Sequence, residues 1–210
     1  AINGDYMFVG IPQATGPTSS AESEGVGEIY KLTSVATSDV KEWVLLTTLE
    51  APLAQRAANL NFGFAASMDE NFLVVASASS GGSHLFIYER SGDTFTNTAF
   101  RIIDVKGASA VVNKDYGQGG IEIRDQVLAL GTGPINSTPD IRVWRYGATT
   151  GQAARAWDLA TNGGSSGTPA KQQFAAANPY QIVRQPEGSG LPVTSSSGFG
   201  YDLSVKGNVL

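Results

Sequence analysis

An aromatic residue followed by glycine recurs along this chain, and each copy precedes an apolar segment typical of a β-strand. The three copies are Phe62-Gly63, Tyr116-Gly117 and Phe199-Gly200. The apolar segments that follow them begin near positions 72, 127 and 209, and a related segment occupies positions 5–12. Because the pattern returns at intervals of several tens of residues, the sequence predicts an array of similar units rather than one core of unrelated elements.

Each unit contains further segments with strand patterns. The run 72–76 is apolar throughout, which predicts a strand covered on both faces, whereas 141–146 alternates apolar and polar residues and predicts a strand with one face less covered. The predicted strands lie at 5–12, 28–31 and 43–47 in the first unit, at 62–67, 72–76, 85–90 and 100–103 in the second, and at 121–123, 127–131, 141–146 and 156–159 in the third.

Four strands per unit favour an all-β fold made of β-propeller blades, each a sheet of four antiparallel strands. The blades are predicted at 1–61, 62–115 and 116–198, with part of a further blade at 199–210. About three blades do not close a ring, so we expect a fragment of a larger propeller. The stretch 160–198 is rich in Gly, Ser and Pro, and it is predicted to be an insertion loop on the surface.

Composition argues against several classes of protein. The formal net charge is −5 and Lys and Arg are not clustered, which argues against a nucleic-acid-binding protein. The chain has no cysteine, so disulfides, thiolate metal sites and cysteine nucleophiles are excluded. No apolar run approaches the roughly 20 residues that span a bilayer, so we expect no membrane insertion.

The motifs at 62–67, 72–78 and 85–92, taken together, resemble an FG-GAP repeat, which is the blade unit of the integrin-α-type β-propeller. Phe199-Gly200-Tyr201 repeats the signature, and Tyr116-Gly117 is a softened copy of it. The resemblance covers most of the chain outside 160–198. It implies a propeller that acts outside the cell or at its surface, as a recognition or structural module without enzymatic activity.

The sequence departs from the integrin pattern at the loops that bind calcium in that family. Those loops carry several Asp and Asn side chains, which supply hard oxygen ligands. The matching positions here are 68–71, 124–126 and 206–208, with at most two carboxylates each. The calcium sites of the family therefore do not carry over, and we expect no metal and no cofactor. Asp69 and Glu70 are predicted to be solvated turn residues.

Few residues are candidates for a functional role. Glu122 and Asp202 follow an aromatic-glycine pair on predicted inner strands, and they are the candidates for polar side chains that line the propeller channel. Asn136 begins an Asn-Ser-Thr sequence in a predicted turn and is a candidate glycosylation site. His84 is the sole histidine and has no partner motif nearby, so no catalytic residue is predicted.

Three functions remain open from the sequence. The first is a non-enzymatic module for recognition or assembly at a cell surface, with other protein chains, further blades of the same polypeptide, or glycans as partners. The second is a structural subunit of an extracellular filament or appendage that has no ligand and assembles with itself. The third is a carbohydrate-active enzyme on a propeller scaffold, for which two carboxylates about 5 to 9.5 Å apart in a closed pocket would be the evidence.

Overall fold

A computed structural model describes residues 1–17, 22–35, 40–79, 82–104, 116–125, 127–132, 140–145 and 181–184. These residues form an all-β structure, as the sequence predicts, and the short 3₁₀ turn Leu53–Gln55 lies between the first two sheets. The described strands form three sheets, and every strand pair is antiparallel.

The strands follow one another through each sheet in chain order. Sheet 1 contains β1 (Ile2–Asn3), β2 (Tyr6–Ile11), β3 (Val26–Ser34) and β4 (Lys41–Glu50). Sheet 2 contains β5 (Ala65–Met68), β6 (Phe72–Ser79) and β7 (Gly82–Ser91), with β8 (Thr94–Phe95) and β9 (Arg101–Asp104) both along the far edge of β7. Sheet 3 contains β10 (Tyr116–Arg124), β11 (Val127–Thr132), β12 (Asp140–Arg145) and β13 (Gln181–Arg184).

Sheet 2 is buried on both faces. Leu73 and Val75 of β6 lie in a core cluster that also contains Phe8 and Ile29 of sheet 1. Phe72 and Val74, the alternate residues of the same strand, lie in a second cluster with residues of sheet 3 such as Leu128. Successive side chains of a strand point to opposite faces, so a strand between two packed sheets must be apolar at every position. The prediction from the unbroken apolar run 72–76 is therefore confirmed.

The Phe62-Gly63 motif joins sheet 1 to sheet 2. The Phe62 side chain is fully buried in the cluster between these sheets, and its ring centroid lies 5.2 Å from that of Phe86. Gly63 has φ +85°, and a Cβ there would lie 2.8 Å from the carbonyl oxygen of Val26 and 3.0 Å from the Cα of Gly10. Glycine is thus required both for the left-handed backbone and for the close approach of the two chains.

The turn between β5 and β6 differs from its prediction at one residue. The Asp69 side chain is buried, and its Oδ1 accepts hydrogen bonds from the backbone N–H groups of Asn71 and Phe72, both at 2.8 Å. Hydrogen bonds from the following backbone N–H groups to an aspartate side chain form an Asx turn. These bonds replace the water that the carboxylate would otherwise bind, so the side chain can be buried. The prediction of a solvated side chain is wrong for Asp69, whereas Glu70 is exposed.

The third unit departs from the predicted strand pattern. Its fourth described strand is β13, which pairs with β12 and lies inside the stretch 160–198 that was expected to be an insertion loop. The loop prediction is therefore wrong for residues 181–184. The strand predicted at 156–159, the other residues of 160–198 and the partial blade at 199–210 lie outside the described residues.

Candidate functional site

The face of sheet 1 that points away from sheet 2 carries exposed apolar side chains. Phe8 and Ile29 point toward sheet 2, so their strand neighbours Val9 and Tyr30 point the other way. The register of β3 with β4 adds Leu45 opposite Tyr30. We call this surface the sheet-1 outer face; its apolar members include Met7, Val9, Ile11, Tyr30, Leu32, Trp43 and Leu45, and Glu28 lies among them opposite Val9. Val9 is 37% exposed and Leu45 is 47% exposed.

The positions in sheet 2 that correspond to the sheet-1 outer face are buried. The β1–β2 and β5–β6 hairpins align so that Met7 corresponds to Leu73 and Val9 corresponds to Val75. Leu73 and Val75 are fully buried against sheet 1. The sheet-1 outer face is therefore largely apolar, apart from Glu28, whose Oε2 accepts a 2.6 Å hydrogen bond from the Tyr30 hydroxyl, and no sheet among the described residues covers it. Large exposed apolar surfaces of this kind mark interaction sites.

A polar groove of about 580 Å³ lies at the end of sheets 1 and 2 where their hairpin turns are. It runs between the β1–β2 turn and the β5–β6 turn. Its lining residues are Asn3, Gly4, Asp5, Tyr6, Glu70, Asn71, Arg90 and Gly92. The groove thus offers two carboxylates, two amide side chains and one guanidinium group.

The guanidinium of Arg90 is fixed beside the groove. Its central carbon lies 4.4 Å from the centroid of the Tyr6 ring, and its Nε donates a hydrogen bond of 3.0 Å to the carbonyl oxygen of Gly92. On the same ring, Lys31 Nζ lies 5.7 Å from the centroid and forms a 3.1 Å ion pair with Asp93. The hydrogen bond from Lys31 holds the pKa of Asp93 below its usual range, and Asp93 raises the pKa of Lys31.

A buried ion cluster lies where the chain passes from sheet 1 to sheet 2. Arg56 Nε is 3.2 Å from Glu24 Oε1, and its Nη2 is 2.9 Å from Glu50 Oε2. The Glu24 side chain is fully buried, and Arg56 Nε also donates a 2.7 Å hydrogen bond to the carbonyl oxygen of Ala51. Near this cluster, burial raises the pKa of Tyr88 far above its ordinary value. One guanidinium serves two carboxylates, of which Glu24 is fully buried, so removing Arg56 would leave a buried carboxylate without its cation.

Glu122, a predicted channel residue, takes part in a contact between sheets. Its Oε2 accepts a 3.3 Å hydrogen bond from the Ser67 hydroxyl, and that hydroxyl accepts a 3.0 Å bond from the backbone N–H of Ile123. Ser67 is on β5 and Glu122 is on β10, which are the first strands of sheets 2 and 3. The sequence pointed to Glu122 but not to Ser67, because a serine among other small residues gives no signal of its own.

The remaining candidates have no assigned role in the described structure. Asp202 and Asn136 lie outside the described residues. His84 is half-buried on β7, where its ring lies 5.8 Å from that of Phe86 and its backbone N–H donates a 3.2 Å hydrogen bond to the Ser77 hydroxyl. This geometry gives His84 a place in the packing of sheet 2.

Two further observations concern metals and membranes. Within the part of the chain that the structure describes, no three carboxylate or imidazole side chains are grouped as they would be around a metal ion. Among the same residues, no helix has the length and apolar character needed to cross a bilayer.

Comparison with known proteins adds no relative. No family model, no curated protein and no solved structure matches this chain.

Proposed function

We propose that this chain is a β-propeller module similar to FG-GAP blades, and that it serves recognition or structural assembly, without enzymatic activity, outside the cell or at its surface. Two features support the propeller. Three sheets, each four strands wide, pack against one another in chain order. Residues at corresponding positions also face the next sheet, since Phe8 of sheet 1 packs against sheet 2 and Val74 of sheet 2 packs against sheet 3. This is how neighbouring blades pack.

The sheet-1 outer face carries the proposal of an assembly function. A blade buries its two faces against its neighbours, as sheet 2 does. Sheet 1 has a described neighbour on one face only, and its other face exposes Val9, Trp43 and Leu45. Another apolar sheet, from a protein partner or from further blades, is the partner that fits this surface.

The assembly function is tested with the substitution Val9→Lys. Val9 is opposite Glu28 across β2 and β3, so the new ammonium gains a carboxylate neighbour and the fold should be retained. Val9→Lys replaces apolar surface at the centre of the outer face with an ionic side chain, so it should weaken association, measured by sedimentation velocity over a concentration series. Asn97→Lys, at an exposed position in the bend between β8 and β9, is the control matched in charge. Equal association of the native and Val9→Lys proteins would contradict the proposal.

The polar groove favours a second function, which is binding of a glycan. Its carboxylates and amides are the groups that hydrogen-bond sugar hydroxyls, while the Tyr6 ring is 4% exposed and offers no stacking platform. Glycan-array binding should therefore fall for Asp5→Ala and Glu70→Ala, and it should persist for Glu42→Ala, which is exposed on β4. Binding that is equal in all three variants would contradict this function, and release of cleaved sugar would favour the enzyme instead.

A further inference from the structure

The sheet-1 outer face carries opposite charges near its two ends. Lys41 shares this face with Trp43 and Leu45, because alternate residues of β4 point the same way, and it is opposite Ser34 on β3. Glu28 is on the same face of β3, six residues before Ser34, so about 20 Å of strand separates the two charges. Among the described residues, neither Glu28 nor Lys41 belongs to an ion pair. A partner that covers this face therefore has to meet both charges.

Sheet 2 shows why a further blade of the same kind is a poor cover for Glu28. Tyr30 and Glu28 occupy the positions in sheet 1 that Tyr88 and Phe86 occupy in sheet 2. In sheet 2 these two rings receive the ring of Phe62, at centroid distances of 6.4 Å and 5.2 Å. A ring inserted in the same way against sheet 1 would meet the Glu28 carboxylate. Covering a carboxylate without bringing a cation is costly, so the partner that fits brings one.

We propose that a second copy of this chain covers the sheet-1 outer face, face to face about a two-fold axis, with the strands of the two sheets running in opposite directions. Glu28 of each copy then lies over the end of the face that carries Lys41 of the other copy, so each carboxylate gains an ammonium partner across the interface. The inference deepens the proposed assembly function and rests on it.

The centre of this arrangement is apolar. Midway between the two charges, Tyr30 is opposite Leu45, and Leu32 is opposite Trp43. Trp43 is 36% exposed and Leu45 is 47% exposed in the single chain. Stacked sheets keep their strand directions nearly aligned and lie about 10 Å apart, a gap that a lysine and a glutamate side chain bridge together. The interface then has an apolar core and charged ends, as protein interfaces commonly do.

Charge selects both the second copy and the direction of its strands. If the strands of the two copies ran in the same direction, Glu28 would lie over Glu28 and Lys41 over Lys41, which is unfavourable. In opposite directions every such charge meets its opposite. A second copy thus supplies the cation for Glu28, the anion for Lys41 and the apolar cover for Trp43 from a single surface.

The inference is tested by exchanging the two charges, in Glu28→Lys, Lys41→Glu and the double variant. Glu28 is opposite Val9 and Thr48 within its own sheet. Lys41 is opposite Ser34, so no like charges are opposed within a sheet and each variant should fold. Circular dichroism establishes that it does. Sedimentation equilibrium then gives the dimer dissociation constant, with 21.9 kDa as the mass of one chain.

We expect a dimer for the native protein and a dissociation constant raised about tenfold or more in each single variant, because like charges then meet at both ends of the interface. The double variant has the native net charge and should dimerise as the native protein does. An equimolar mixture of Glu28→Lys and Lys41→Glu should also dimerise, since each introduced charge meets its opposite. A native monomer, unchanged single variants or a double variant as weak as the single ones would each overturn the inference.

Val9→Lys, measured in the same series, separates this inference from the assembly function. If Val9→Lys weakens association and the exchange of charges does not restore it in the double variant, the assembly function stands and the two-fold arrangement fails. If Val9→Lys associates as tightly as the native protein, the function of the outer face fails, and the inference fails with it.

Discussion

Gly63 shows most clearly why the repeated motif contains a glycine. Its backbone is left-handed, and a Cβ would approach the backbone of Val26 and Gly10. Gly4 is also left-handed, at φ +54°, but a Cβ there would meet nothing within 4 Å. The two glycines therefore separate the cost of the backbone conformation from the cost of the close approach.

We expect Gly4→Ala to lower the free energy of unfolding by about 1–2 kcal/mol, the cost of a left-handed backbone. Gly63→Ala should lower it by clearly more, because backbone atoms of sheet 1 must also move. Urea unfolding followed by tryptophan fluorescence measures both. Equal losses in the two variants would mean that the approach of Gly63 to sheet 1 is not tight.

Arg56 gives a second prediction at the residue scale. Arg56→Leu leaves the fully buried Glu24 carboxylate without its cation, so we expect a loss of about 3–5 kcal/mol in the free energy of unfolding. The double variant Arg56→Leu/Glu24→Leu should recover a large part of it. Lys31→Met removes the ion pair with Asp93, whose side chain is 85% exposed, and it should cost much less. Similar losses for Arg56→Leu and Lys31→Met would contradict the structural role of the cluster.

The sequence could predict the need for glycine at position 63, but it could not predict the ion cluster. An aromatic-glycine pair that recurs before strands is a local pattern. Glu24 and Arg56 are distant in the sequence, and neither belongs to a motif. Burial of Asp69 could not be predicted for a similar reason. The sequence places this carboxylate in a turn, but it does not show that the carboxylate accepts hydrogen bonds from the backbone.

At the scale of the elements, strand patterns were predictable where both faces of a strand are buried. The apolar run of β6 identified the central strand of sheet 2. The fourth strand of sheet 3 was not predictable, because 181–184 is a short segment within a stretch rich in Gly, Ser and Pro. The exposure of β4 was also missed, since an apolar segment alone does not reveal whether anything covers it.

Phe62 tests how the sheets are joined. Its buried ring contacts Phe86 and Tyr88 of β7, whereas Phe64 of the same motif is 42% exposed. We expect Phe62→Ala to lower the free energy of unfolding by about 3–5 kcal/mol, through lost burial and a cavity. Phe64→Ala should change it by about 0.5 kcal/mol or less. A comparable loss at both positions, in thermal or urea unfolding, would contradict the role of Phe62 in packing between sheets 1 and 2.

At the scale of the whole molecule, the sheets differ in how far their faces are covered. Sheet 2 is covered by sheet 1 and sheet 3, while sheet 1 exposes an apolar face and an apolar edge. The repeat in the sequence predicted the stacked sheets, but the identity of the exposed face depends on the register of β2, β3 and β4.

Hydroxyl-radical footprinting of the Val9→Lys variant, at a concentration where sedimentation velocity shows a monomer, tests this difference most directly, because it reports the solvent exposure of individual side chains. We expect strong modification of Trp43 and Leu45 on sheet 1, and little modification of Phe62, Phe86 and Tyr88 in the core between sheets 1 and 2. If Trp43 and Leu45 are as protected as Tyr88 in monomeric Val9→Lys, the chain itself covers the outer face of sheet 1, and the proposed assembly through that face is contradicted.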